Sequence, residues 1–198
     1  MARADSTRRV ATTSKGLLRS KLWLEMAIRI LKEEGVDQVR VDRIADRLGI
    51  TKGSFYHLYK DRQELLDAMV EHWRSASQIT YLTMARRLKG PARQVLLDFM
   101  EAAVRSNLGE FDGAFRAWGS YEPRVGATVQ ALDQERIQFI AKWFEELGLE
   151  GLEALGRARI LYYADVGWAF SGDPRPQVTL RLEFARDLCS LLTRGRPK

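Results

Sequence analysis

The sequence predicts an all-α protein of about nine helices, and three observations lead to that prediction. Apolar residues recur at helical spacing in almost every segment of the 198 residues. Only five prolines occur, and four of them fall at apparent helix boundaries: Pro91, Pro123, Pro174 and Pro176. No segment alternates apolar and polar residues as a half-buried strand does, and no hairpin dipeptide stands out.

The N-terminal part is predicted to hold short helices preceded by a flexible basic arm, residues 1–15. A first helix is expected from about Leu17 to Glu34, with Gly35 as its C-terminal cap. A second is expected from Val41 to Leu48, because four apolar residues in it fall on one helical stripe. These residues are Val41, Ile44, Ala45 and Leu48.

Two further helix starts have local signals. Gly49 breaks the second helix, and Thr51, whose hydroxyl suits an N-cap, is expected to begin the third. A fourth is expected to begin at Asp61. Asp61 and Glu64 have the spacing of a capping box just before the apolar residue Leu65.

Long helices are predicted for the rest of the chain, with breaks at Gly- or Pro-containing segments. Their approximate ranges are 62–88, 92–107, 112–120, 124–147, 151–171 and 177–193. We therefore expect two domains, a short-helix domain over residues 16–62 and a larger helical bundle over residues 63–198.

The excess of positive over negative charge lies entirely in the first third of the chain. Residues 1–62 contain 14 Lys/Arg and 8 Asp/Glu, which gives 14 − 8 = +6, the net charge of the whole protein. Residues 63–198 contain 18 of each and are neutral. Such segregation indicates a polyanionic partner for the N-terminal part, and nucleic acid is the commonest one.

Three short helices with a tight Gly-containing turn between the second and third are the outline of a helix-turn-helix. The third helix would read DNA in the major groove, with Lys52, Ser54 and His57 reaching base edges. Phe55 and Leu58 would face inward. The predicted DNA-binding residues are Arg40, Arg43, Thr51, Lys52, Gly53, Ser54, Tyr56, His57, Lys60 and Arg62.

The other predicted contacts of this surface are to the DNA backbone. Backbone N–H groups at Thr51 to Gly53 would bind phosphate at the helix N-terminus. Tyr56 would pack on the sugar-phosphate backbone, and Lys60 and Arg62 would clamp it just past the helix. Tyr59 is expected to pack beneath the fourth helix instead of contacting DNA.

Residues 27–69 resemble the TetR family of bacterial transcriptional regulators. The matching residues are Gly35, Ile44, Ala45, Gly49, Ile50, Thr51, Gly53, Tyr56, Tyr59, Arg62, Glu64 and Leu65. Val39 and Arg40 depart from the family pattern, because they stand where a hydroxyl residue usually caps helix two. Leu58 and Tyr59 replace a common His or Tyr and a Phe. The resemblance implies a ligand-responsive dimer, most often a repressor released from a palindromic operator by a small molecule.

The resemblance also implies an effector site in the C-terminal part, which is dense in aromatic residues. Most of these are expected to be core, and some to line a pocket between helices, as in other bundles. The segment GAFRAWGSYEP, residues 113–123, is the favoured place for it. The predicted pocket residues are Tyr81, Phe99, Phe115, Trp118, Tyr121 and Trp143, and the expected effector is largely apolar.

The last two helices carry more apolar surface than one monomer needs, which predicts a homodimer interface. On the final helix a second apolar stripe, Leu182, Ala185, Cys189 and Leu192, lies beside the one assigned to the interface. The predicted interface residues are Ala164, Gly167, Trp168, Ser171, Leu180, Phe184, Leu188 and Leu191.

The sequence offers no catalytic or metal-binding constellation. The only two histidines, His57 and His72, are fifteen residues apart, and Cys189 is the only cysteine. We expect no enzyme activity, cofactor, metal or membrane span, and a cytoplasmic location. Two other functions stay open: a helical small-molecule-binding protein without DNA regulation, and a helical enzyme.

Overall fold

The computed structural model describes residues 14–107, 109–170 and 178–194, and in those residues all regular structure is helical. The nine α-helices found there are α1 Ser14–Glu34, α2 Val41–Leu48, α3 Gly53–Tyr56, α4 Arg62–Arg87, α5 Ala92–Arg105, α6 Asp112–Gly119, α7 Pro123–Glu146, α8 Gly151–Phe170 and α9 Val178–Leu192. A 3-10 turn, Val36–Gln38, follows α1. The predicted all-α fold is confirmed. Most of the basic arm lies outside the described residues.

The chain forms two compact units, and their division differs from the predicted boundary at residue 62. The first unit comprises residues 1–75 and 114–128, and the second comprises residues 76–113 and 129–198. The first half of α4 joins the first unit because its apolar side chains are buried there; Trp73, for example, stacks on Phe115 with ring centroids 4.3 Å apart.

The core of the first unit fixes α3 through its inward face. Phe55 is fully buried and packs against Trp23 of α1, with ring centroids 5.2 Å apart. Tyr59 is also buried, as expected, and its hydroxyl lies 2.9 Å from the Ser20 hydroxyl. The Tyr59 hydroxyl is therefore hydrogen-bonded to a residue of α1, whereas the sequence predicted packing beneath the fourth helix.

The ends of the short helices follow the predicted caps in most cases. Gly35 and Gly49 have φ of 87° and 65°, a conformation that favours glycine. The Glu64 N–H donates to the Asp61 carboxylate at 2.9 Å. The Glu64 carboxylate accepts in return from the N–H of Lys60, one residue before the position that the capping box expects.

The predicted N-cap of the third helix is wrong. This helix begins at Gly53, and no side chain caps its N-terminus at Lys52. The backbone of Thr51 closes the turn instead, since its carbonyl accepts the Ser54 N–H at 3.1 Å.

Two glycines allow α6 and α7 to approach each other within the first unit. A Cβ placed on Gly126 would lie 2.7 Å from the carbonyl oxygen of Gly119. A Cβ on Gly119 would in turn lie 3.0 Å from the backbone of Gly126. Any side chain at either position would force the two helices apart.

The second unit has its own apolar core, drawn from every helix that enters it. Fully buried members include Leu96, Ile140, Phe144 and Leu161. The apolar stripe of α9 that faces this core consists of Leu182, Ala185, Cys189 and Leu192. No helix among the described residues has the length and apolar character needed to cross a membrane.

Candidate nucleic-acid interface

The predicted DNA-reading side chains of α3 and its flanks lie on the surface of the first unit. The exposed members of the predicted set are Arg40, Thr51, Lys52, Gly53, Tyr56, His57 and Lys60. Three others, Arg43, Ser54 and Arg62, are half-buried. Because Phe55 anchors the inner side of α3, the outer side presents Lys52, Tyr56 and His57 to solvent.

Ser54 and Tyr56 have local geometries that define what each can bind. The Ser54 hydroxyl donates to the Thr51 carbonyl at 2.8 Å, so its remaining capacity is to accept a hydrogen bond. An exocyclic amino group of adenine or cytosine is a donor that fits it. Tyr56 is 61% exposed, and its ring meets Phe55 edge-on.

Arg40 stands at the N-cap of α2, where its side chain makes no capping bond. Its guanidinium binds the Asp42 carboxylate at 2.7 Å, and this pairing raises the pKa of Arg40. The Asp42 carboxylate also accepts the Arg43 N–H at 2.9 Å. Asp42 thus supplies the bond to the first turn of α2 that the missing hydroxyl residue would otherwise make.

Arginines on the outer face of α2 are tied to the end of α1. Arg43 and Arg47 both form ion pairs with Glu34, and Arg47 reaches Glu33 at 2.6 Å as well. These ion pairs join α1 and α2 within the first unit. A phosphate at Arg43 would compete with Glu34, so its role in DNA binding stays a prediction.

Arg62 is engaged by two backbone carbonyls, so its role as a phosphate clamp stays a prediction. Its Nε donates to the Val39 carbonyl and its Nη2 to the Val36 carbonyl, both at 2.7 Å. The guanidinium therefore connects the start of α4 to the 3-10 turn after α1. No local pattern indicates this contact, because the partners are backbone atoms 23 and 26 residues away.

Comparison with known families supports this helix-turn-helix assignment. Residues 24–69 match the family described as bacterial regulatory proteins, tetR family. Over this segment the chain is similar to the TetR family. The match covers α2 and α3 and the first turns of α4, which include every predicted DNA-contacting residue.

A curated relative and several solved structures are similar to this chain. The HTH-type transcriptional regulator AcrR of Shigella flexneri is 30% identical over 87 residues, which span 41% of this chain and 40% of that protein. A transcriptional regulator of the TetR/AcrR family from Thermobifida fusca YX-ER1 has a TM-score of 0.62 at 19% identity, covering 91% of this chain and 99% of that one.

A TetR-like transcriptional regulator from Rhodococcus sp. RHA1 has a TM-score of 0.67 at 18% identity, covering 87% of this chain and 93% of that one. At such identities the structural likeness establishes the fold. The shared fold includes the helices beyond the N-terminal segment.

The predicted effector-pocket residues do not belong to one compact unit. Phe115, Trp118 and Tyr121 belong to the first, and Tyr81, Phe99 and Trp143 to the second. In the first unit Trp118 lines an open groove of about 320 Å³. Phe115 is fully buried against Trp73, and Tyr121 is mostly exposed.

In the second unit, Trp143 is buried against Phe99, with ring centroids 5.0 Å apart, and belongs to the core. Tyr81 and Phe99 line a small cavity of about 40 Å³. Of the six predicted pocket residues, Tyr81 and Phe99 therefore line the same cavity.

The residues of the predicted dimer interface differ in exposure. Leu180, Phe184 and Leu191 form an exposed apolar stripe on α9, opposite the stripe that enters the core. On α8, Gly167 is exposed and Ala164 half-buried. Trp168 and Leu188 are also half-buried, and Ser171 lies outside the described residues.

Sequence reasoning missed a buried polar cluster in the second unit, formed by Arg136, Asp112, Tyr162 and Asp133. Asp133 and Arg136 lie on α7 among apolar residues at helical spacing, namely Leu132, Ile137 and Ile140. That spacing is a signal in the sequence that could have found them.

Over the described ranges, no group of three or more His, Cys, Asp or Glu side chains is placed to hold a metal ion.

Proposed function

We propose that the protein is a homodimeric DNA-binding transcriptional regulator, a repressor that a small molecule releases from its operator. The observation that supports this most is the exposed face of α3. Within a TetR-family helix-turn-helix, it carries a cation, two hydrogen-bonding side chains and an exposed tyrosine, Lys52, Ser54, His57 and Tyr56. The net charge of +6 over residues 1–62 would attract DNA.

The roles of individual groups follow from their chemistry. Lys52 donates to the acceptors O6 and N7 on the major-groove edge of guanine, and Ser54 accepts from an amino group. Lys60 is exposed and lies beyond the end of α3, so its ammonium group binds a DNA phosphate. A twofold dimer presents two copies of α3, so the operator is an approximate palindrome with half-sites about one helical turn apart or a multiple of it.

Release by a ligand requires that the ligand bind the DNA-free arrangement more tightly than the DNA-bound one. α4 is a continuous helix from Arg62 to Arg87 and has residues in both units. It is therefore the segment through which we expect ligand binding to reach the helix-turn-helix.

The test is selection of binding sites by the full-length protein from a random pool of double-stranded DNA. We expect enrichment of an approximate palindrome, and Lys52→Ala should shift the preferred bases at a cost of about 1–3 kcal/mol. The matched control, Lys60→Ala, should weaken binding to all sequences alike and reduce the salt dependence by about one unit of slope.

A pool that shows no enrichment, with binding no tighter than to random sequence, would contradict the proposal. The alternative of a small-molecule-binding protein without DNA regulation would then stand. An altered base preference for Lys60→Ala but not for Lys52→Ala would reverse the roles given to these two lysines.

A further inference from the structure

Arg136 is a buried cation with only part of its hydrogen-bonding capacity in use. The residue is 6% exposed. Its Nη1 forms an ion pair with Asp112 and donates to the Tyr162 hydroxyl at 3.3 Å. Among the described residues, its Nε and Nη2 find no acceptor. A buried donor without an acceptor is costly, so these N–H groups mark a place for an oxygen that the described residues do not supply.

Tyr81 presents a second unused donor beside Arg136. It is also 6% exposed, and its hydroxyl has no partner among the described residues. The Arg136 guanidinium carbon lies 5.7 Å from the centre of the Tyr81 ring. Burial raises the pKa of Tyr81, so its hydroxyl keeps its proton and can donate at physiological pH.

Both residues line each of two small cavities. One cavity, of about 40 Å³, is walled mainly by apolar side chains such as Phe99, Met100 and Ile140. The other, of about 70 Å³, is walled by Leu82, Leu132 and Phe139 among others. A cavity that admits benzene measures roughly 150 Å³, so a ligand of that size enters only if the Tyr81 side chain moves and merges the two.

The charges around these cavities decide which oxygen fits. The buried or half-buried ionisable groups are Arg136 and Arg181 against Asp112, Asp133 and Asp165. Their formal charges sum to +2 − 3 = −1. Arg136 is already paired with Asp112, and Arg181 is paired with Asp165 at 2.6 Å. A carboxylate would add a second excess negative charge in a low-dielectric setting, whereas an uncharged carbonyl oxygen would not.

From these observations we propose that the second unit binds an uncharged, largely apolar small molecule through one acceptor oxygen, which receives hydrogen bonds from Arg136 and Tyr81. This inference rests on the proposed function, because it assigns the effector site of the regulator. A ligand oxygen there replaces the one or two water molecules that a cavity of this size holds. The apolar body lies against the aromatic and aliphatic walls.

The experiment uses three probes of nearly equal size: acetophenone, which carries a carbonyl oxygen, ethylbenzene, which has no acceptor, and benzoate, which is charged. Binding to the full-length protein is measured by titration calorimetry without DNA. The variant is Tyr81→Phe, which removes only the hydroxyl. The matched control is Tyr121→Phe, a tyrosine of the first unit that is 64% exposed.

We expect acetophenone to bind about tenfold more tightly than either ethylbenzene or benzoate. Tyr81→Phe should weaken acetophenone binding about 2- to 10-fold and leave ethylbenzene unchanged, the range expected for the loss of one hydrogen bond. Tyr121→Phe should bind all three probes as the wild type does.

The site is overturned if acetophenone does not bind up to its solubility limit, or binds no more tightly than ethylbenzene or benzoate. Unchanged acetophenone affinity in Tyr81→Phe, or an equal loss in Tyr121→Phe, overturns it as well. Because the measurement contains no DNA, a failure of this site and a failure of DNA binding are separate results.

Discussion

Arg62 joins α4 to the turn after α1 through two carbonyl groups, and its replacement separates a stabilising role from a DNA-binding one. Arg62→Ala should lower the free energy of unfolding by about 1–3 kcal/mol, because two carbonyls lose charge-assisted hydrogen bonds. Thermal denaturation of the full-length protein measures this change.

Lys60→Ala serves as the control for Arg62, since Lys60 is exposed. Its stability should stay within about 0.5 kcal/mol of the wild type, as for other surface substitutions. If Arg62→Ala melts like the wild type and yet loses DNA affinity, the phosphate clamp predicted from the sequence is restored.

Cys189 makes the free energy of unfolding fall as the pH becomes alkaline. Burial, followed by the charge of Glu101, raises the pKa of the thiol to about 12, against about 8.5 in an unfolded chain. The folded state therefore holds the proton that the unfolded state loses. This contribution is complete below about pH 8.5 and is lost as the pH rises towards 12.

Between about pH 9 and pH 11 the wild type should lose about 2–3 kcal/mol more stability than Cys189→Ala. Urea denaturation at each pH gives the two slopes, and only their difference matters, since Cys189→Ala also leaves a small cavity. Parallel slopes would show that the thiol titrates alike in the folded and unfolded states.

Individual side chains were predictable where a local pattern determines their environment. Phe55 and Tyr56 are adjacent on α3, and helical spacing alone places the first inside and the second outside. Arg43 and Arg62 were not predictable in this way, because their partners come from other segments. Arg136 was missed although its position beside Ile137 on the buried side of α7 indicates that it faces inward.

The contact between α6 and α7 depends on the absence of side chains at two positions. Gly126→Ala should destabilise the protein by about 1–3 kcal/mol, because the new methyl group would lie against the Gly119 carbonyl and the backbone must shift. Chemical denaturation measures the change.

Gly156 in α8 is the matched control, since a Cβ there would meet no atom within 4 Å. Gly156→Ala should stabilise the protein by about 0.5–1 kcal/mol, the usual gain when a helix-interior glycine becomes alanine. Destabilisation of similar size by both substitutions would mean that the Gly119–Gly126 contact is not the cause.

Helix positions were largely predictable because their signals are local. Gly35, Gly49 and the pair Asp61 and Glu64 mark ends that the structure confirms. The start of α3 was wrong, since the Thr51 backbone closes the turn that its hydroxyl was expected to cap. The division into compact units also differs from the boundary expected at residue 62. It depends on how α4 and α6 pack against other helices, and the local sequence of either helix does not determine that packing.

The exposed apolar stripe of α9 bears on the assembly of the whole protein. Leu191, 62% exposed, belongs to the homodimer interface that we propose. Leu191→Glu would place a charge in a desolvated contact without a partner, so we expect monomers in sedimentation and much weaker operator binding.

Leu152 of α8 is 88% exposed and lies outside the predicted interface. Leu152→Glu should therefore leave the sedimentation coefficient and operator affinity unchanged. A dimer that persists in Leu191→Glu but dissociates in Leu152→Glu would move the interface to the start of α8.

The unused donors of Arg136 also bear on how long the protein survives in a cell. A ligand that binds only the folded state stabilises it by mass action, by about 2.7 kcal/mol at one hundred times its Kd. Degradation that starts from opened molecules slows as their population falls. The ligand that fills the Arg136 site would then raise the amount of regulator while releasing it from DNA. After the ligand disappears, more protein would be present to bind the operator again.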